Sequence, residues 1–120
     1  MKQILLILSL LFIPNTISST DDEQINIPGI VVVHYNATWN KSNNYLEVTK
    51  LINAKVVTAW IDKENTIRES ENINSVPTVI LYKDGQETKR WEADISLSLK
   101  VPYQDIQKQI DILSDDSKKN

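Results

Sequence analysis

Six neighbouring residues could carry chemistry: His34, Trp39, Asn40, Lys41, Ser42 and Asn43. A serine beside a histidine suggests nucleophilic catalysis. That needs the hydroxyl within hydrogen-bond reach of an imidazole, which a third group in turn orients. Here His34 falls inside an apolar run, several residues from Ser42, with no obvious third partner. A histidine satisfied within the core is the simpler reading. One histidine and no cysteine make a poor zinc ligand set, so no metal is expected. With only two glycines there is no phosphate-cradling loop, and no cofactor is expected. Disulfide exchange needs a thiolate nucleophile, and the chain holds no cysteine at all.

These residues must be positioned by a strand and by the element next to it in the chain. Ile30 to Tyr35 is β-branched and nearly unbroken by polar residues, as in a strand covered on both faces. Tyr45, Val48, Leu51 and Ile52 recur at helical spacing, which predicts an amphipathic helix over 41–53 with Asn40 as its N-cap. Lys55 to Ile61 reads as a second buried strand. A short helix begins at about Thr66, where Thr66 and Glu69 fit a capping box. Thr78 to Tyr82 is a third strand, and Gln86 to Trp91 returns antiparallel. Asp84-Gly85 between them supplies the positive φ angles of a tight hairpin. Pro102 suits the first turn of a last helix, with Tyr103, Ile106, Ile110 and Leu113 on its apolar face. Residues 114–120 read as a charged, frayed tail.

One segment fits less easily. Ile95 to Val101 alternates apolar and polar residues, the period of a half-buried strand. It is read here as an irregular connection that lays Leu97 and Leu99 on the core. The other reading is an extra edge strand for self-association.

The first residues have a different character. Lys2, the apolar run Ile4 to Ile13, Pro14 and the small residues Ser18 and Ser19 follow the order of a secretory signal peptide. The run is shorter than the roughly 20 residues that span a bilayer, which argues against an uncleaved anchor. The expected organisation is a signal peptide over 1–19, a linker over 20–29, a single domain over 30–113 and the tail over 114–120. The expected location is secreted or periplasmic, with no stable membrane span after cleavage. Without Lys2 the chain has 12 basic against 16 acidic residues. This mild acidity, without a basic patch, argues against nucleic acid as a partner.

Two motifs together resemble the thioredoxin family. Tyr35-Asn36-Ala37-Thr38-Trp39 is similar to its Phe-Trp-Ala-x-Trp, and Ser75-Val76-Pro77-Thr78 with the adjoining strand and hairpin is similar to its cis-proline segment. The resemblance covers about 30–113. It implies an α/β fold of minimal form, a central mixed sheet of about four strands flanked by helices, because too few residues precede Ile30 for the family's first strand and helix. Where the family carries Trp-Cys-Gly-Pro-Cys, this chain has Trp39-Asn40-Lys41-Ser42-Asn43. Both cysteine positions hold asparagine. The family's buried acid aligns with His34, and its accompanying lysine with Thr58.

The resemblance therefore implies a redox-inactive member. What it leaves is a surface that holds an extended peptide or a partner protein, formed by Trp39, Asn40, Lys41, Ser42, Asn43, Val76 and Pro77, with Val76 offering its backbone for strand addition. Packing alone could also account for Trp39 and Pro77. A self-associating scaffold is the second reading and a non-thiol enzyme the third. Asn36-Ala37-Thr38 and Asn40-Lys41-Ser42 match the N-glycosylation pattern, a loose pattern read here as chance.

Overall fold

The computed structural model describes residues 28–119. The expected signal peptide and most of the expected linker lie outside them. Four strands form one mixed sheet: β1 (Ile30–Asn36), β2 (Lys55–Trp60), β3 (Thr78–Lys83) and β4 (Gln86–Glu92), in the order β2-β1-β3-β4. β1 pairs parallel with β2 and antiparallel with β3, and β3 pairs antiparallel with β4. Two helices are added, α1 (Asn65–Ser70) and α2 (Tyr103–Lys119).

The unbroken apolar run of β1 follows from its central place. Side chains alternate across a strand, and here both faces are covered. Val31, Val33 and Tyr35 join Ile80 and Tyr82 in one core with Ile73, Val76 and the half-buried Ile67 of α1. Val32 joins Val79 and Leu81 in the other, under Tyr45, Val48, Leu51 and the α2 residues Ile106 and Ile110. The apolar face expected for α2 is the one observed. Asp84 and Gly85 both have positive φ and turn β3 into β4, as their types require. Gly29, also at positive φ, receives a hydrogen bond from Asp84 N and donates one to Asp84 Oδ1, so the hairpin ties down the start of β1.

Several expectations need correction. No α-helix forms over 41–53. Two short 3-10 segments stand there, Thr38–Asn43 and Leu46–Lys50. Asn40 is not an N-cap but lies inside the first segment with non-helical φ. Asparagine and serine compete for backbone partners and favour such breaks. Two longer-range bonds also pull the chain to the sheet: Tyr45 N–H donates to His34 Nε2 at 3.2 Å, and Tyr45 O–H to the Val101 carbonyl at 2.6 Å. Ile52, expected on the buried face, is exposed. Its backbone is instead clamped in both directions by the Gln107 side chain of α2.

The capping box at Thr66 is absent, since Glu64 occupies the N-cap position without a side-chain bond. Among the described residues β2 is an edge strand, half-buried and not fully buried. Pro102 lies just before α2. The expected tail is helical to Lys119, because no glycine or proline comes after Pro102 to end the helix. Residues 95–101 form no strand, and Leu97 and Leu99 pack on the two cores, as the simpler reading had it. Among the described residues no helix is long and apolar enough to cross a membrane.

Candidate functional site

The strand end that should carry chemistry has become a buried amide cluster. Asn36, the last residue of β1, is fully buried, and Asn40 is 3% exposed. Asn40 Nδ2 donates to Asn36 Oδ1 and to the Leu97 carbonyl, both at 3.0 Å, and lies 3.4 Å from the Val76 carbonyl. Asn36 Nδ2 donates to the Asn40 carbonyl at 3.1 Å and to Asn44 Oδ1 at 2.5 Å. Asn43 Nδ2 donates to Asn40 Oδ1 at 2.9 Å. Asn36 and Asn40 therefore bond to each other, side chain to side chain. Each polar atom of the Asn40 amide is used inside the protein, so the cluster fixes the start of the 3-10 segment against the 75–77 and 95–99 connections. Both glycosylation matches fall on these buried amides, where a folded chain offers no access.

His34 lies behind this cluster, 2% exposed. A backbone N–H can only donate, so Nε2 accepts from Tyr45 and the ring proton sits on Nδ1, 3.4 Å from Thr58 Oγ1. Burial lowers its pKa to about 4, which keeps it neutral. Ser42 takes no part. His34 and Thr58 are register partners on β1 and β2. The positions aligned with the family's acid and lysine are thus neighbours, but they hold a neutral hydrogen-bonded pair.

Trp39 faces the other way, 66% exposed. It borders a groove of about 640 Å³ that also takes in Ile61, Ile73, Val76 and Leu97, with Asp62, Arg68 and Glu69 as charged members. Asp62 caps the 3-10 segment by accepting from Thr38 N and Thr38 Oγ1, and those bonds hold its carboxyl below the usual range. The Val76–Pro77 peptide is cis. Leu97 lines the groove with a positive φ of 60°, a sparsely populated conformation for leucine. Among the expected surface residues, Trp39 and Val76 border this groove. Lys41 and Ser42 lie outside it, Asn43 is half-buried in the amide cluster, and Asn40 and Pro77 are buried. The groove's far side, Ile61 to Ile73, was not foreseen. Those residues are distant in sequence from both motifs and carry no local mark. Leu97 alone had a signal, its alternating apolar neighbours.

A separate polar chain braces the opposite core. Tyr35 O–H donates to Tyr82, 2.8 Å away, and Tyr82 O–H donates to Glu71 Oε1 at 2.6 Å. Burial raises the pKa of both phenols. Arg90 of β4 binds the carbonyls of Glu71 and Asn72, and so holds the end of α1.

The sheet order, the place of Pro77 just ahead of β3 and the position of Trp39 invite comparison with known proteins. No protein-family profile matches the chain. Thioredoxin Y1, chloroplastic, of Arabidopsis thaliana is 31% identical over 88 residues, covering 68% of this chain and 51% of that protein. The chain therefore spans about half the length of the curated relative it matches. Among solved structures, the Schistosoma mansoni thioredoxin superposes with a TM-score of 0.53 at 27% identity, covering 68% of this chain and 77% of the other. A mutant thioredoxin from Halobacterium salinarum gives 0.55 at 17% identity, covering 69% and 73%, and supports the fold alone. This chain is thioredoxin-like. It is a thioredoxin-like chain without cysteine, so thiol–disulfide exchange has no nucleophile in it. Among the described residues no three potential ligand side chains cluster for a metal ion.

Proposed function

We propose that this chain is a non-catalytic thioredoxin-like binding module that holds an extended peptide or a partner protein in the groove beside Trp39. One observation carries the reading. Trp39 stands exposed beside a groove of mixed apolar and polar lining that Val76 borders, while its sequence neighbour Asn40 is buried. An exposed tryptophan next to a partly apolar groove is the type of residue on which binding energy concentrates. Val76, ahead of Pro77, stands where a peptide strand could add by backbone pairing. Asp62, Arg68 and Glu69 would select polar side chains of the bound segment. The signal-like residues 1–19 support a secreted or periplasmic site of action.

The test uses isotope-labelled protein and a panel of extended, β-competent peptides. Resonances of Trp39, Val76 and Leu97 should move together on titration, and Trp39→Ala should weaken binding about tenfold or more. Val76→Asp is not a usable probe, because Val76 is buried and an unpaired charge there would unfold the chain. In an insulin reduction assay with dithiothreitol the protein should match the protein-free control. Peptides that bind without touching these three residues would refute the groove. Acceleration of insulin reduction would refute the loss of redox chemistry.

A further inference from the structure

The two edges of the sheet are unlike each other. β4 carries Glu87, Lys89, Arg90 and Glu92 within seven residues, the charged composition with which natural edges resist pairing. β2 carries one charge, Lys55 at its start, and continues as Val56, Val57, Thr58, Ala59 and Trp60. Among the described residues nothing pairs with its outer side. Ile61 N–H donates to the Asn36 carbonyl, so residues of odd number in β2 turn their backbone groups toward β1. By alternation Val56, Thr58 and Trp60 turn theirs outward.

We infer that the outer edge of β2 pairs antiparallel with the same edge of a second copy, making one continuous sheet across a two-fold axis at Thr58. Three outward-facing residues centred on Thr58 suit such a self-complementary contact. Thr58 meets Thr58 of the second copy at the axis, exchanging both backbone bonds. On either side Trp60 N–H reaches the Val56 carbonyl of the second copy. The reciprocal bond runs from Val56 N–H to the Trp60 carbonyl of the second copy, whose second lone pair already accepts from Lys63 N–H within its own turn. Val56, Thr58 and Trp60 share one face of the sheet. The register therefore forms two aromatic–β-branched pairs around a Thr–Thr pair, all favourable combinations across strands. Charge agrees as well. The same register sets Lys55 of each copy at the Ile61–Asp62 corner of the other, where Asp62 is held ionised by Thr38. Half-buried Trp60, which joins neither core, gains its cover in this way.

The test is sedimentation of the full chain, with amide exchange read at Val56, Thr58 and Trp60. The expected wild type is a dimer with the Thr58 amide protected. Thr58→Lys and Thr58→Glu each place like charges together at the axis. Each should raise the dissociation constant about tenfold or more, while an equimolar mixture of the two should dimerise again. Both variants lose the same contact with His34, so rescue by mixing separates repulsion from misfolding. Three results would overturn the inference: a monomer at the highest attainable concentration, a dimer indifferent to both variants, or a monomer whose edge amides are protected by residues preceding Pro28.

Discussion

Trp39 and Asn40 are adjacent in sequence and opposite in use. Trp39 is 66% exposed and borders an open groove, while Asn40 is 3% exposed and spends its whole amide inside the protein. In the resemblance, one position belongs to recognition and the next to reaction. Here Trp39, the position that the resemblance assigns to recognition, is exposed. The reaction positions, Asn40 and Asn43, have become hydrogen-bonded supports for the loop that carries Trp39. Losing reactivity at a site does not require losing its shape, provided something replaces the bonds that held it. The contrast predicts that substitutions one residue apart should divide cleanly, into changes of stability and changes of binding.

The largest effect should come from Asn40→Ala. It strands Asn36 Oδ1 away from water and removes the partners of the part-buried Asn43 Nδ2 and Leu97 carbonyl. Each unsatisfied buried group costs about 1–3 kcal/mol. A net loss of about 3–4 kcal/mol is expected in denaturant unfolding, since the loop can relax in part. A loss below about 1 kcal/mol would show that the amide cluster does not support the site, and the comparison would fail.

Next comes His34, which supports the same strand end. Its folded pKa of about 4 lies below its ordinary value of 6.5. The unfolded chain therefore binds a proton that the folded chain refuses, and stability falls as pH falls below 6.5. Linkage gives a loss of about 2 kcal/mol by pH 5 and about 3 kcal/mol by pH 4. The window from about pH 7 to about pH 5 is the clean one, because the lowered carboxyls of Asp62, Asp84, Glu87 and Asp94 lose their contributions only further down. Denaturation curves at the two ends of that window should differ for the wild type and nearly coincide for His34→Gln, whose side-chain oxygen can still accept from Tyr45 N–H.

What could be read from the sequence was what local rules decide. The β1 run, the Asp84-Gly85 hairpin and the Ile106/Ile110 face of α2 each carry a short-range pattern, and each formed. The helix over 41–53 had such a pattern too, yet failed. Its outcome was set by bonds to His34, Asn36 and Val101, none of which a periodicity can register. The same applies to Asn40. Its residue type suits a cap, but carbonyls of residues far along the chain claim its amide. The half-buried state of β2 depends on which strand lies at the sheet edge, and composition suggested only that it was apolar. The candidate groove was half legible. Motifs marked Trp39 and Val76, but the opposite bank of the groove comes from the turn after β2 and the α1 region, brought close by the fold alone.

A smaller effect is expected at Asn43. Its amide makes one bond within the cluster and is only half-buried, so water can take over part of the loss. Asn43→Ala should cost about 1 kcal/mol. In a double-mutant cycle with Asn40→Ala the two should fall well short of additive, because they remove the same Asn40–Asn43 bond. Strict additivity would mean that the two asparagines act independently, and the amide pair would not be the replacement for the lost covalent chemistry.

The smallest change in stability should come from the residue with the largest effect on binding. Trp39→Ala removes a side chain that is mostly in water and belongs to neither core. Exposed substitutions of this kind usually stay within about 0.5 kcal/mol. The unfolding midpoint should therefore hardly move, and the Asn40 amide should keep its exchange protection. Peptide affinity should nevertheless fall about tenfold or more, since the groove loses its large exposed aromatic. If Trp39→Ala instead destabilises the chain by as much as Asn40→Ala, Trp39 is part of the packing, and the division between the two neighbours disappears. If it changes neither stability nor peptide binding, the exposed indole has no role in the groove. Only a binding loss without a folding loss leaves recognition surviving where reaction has gone.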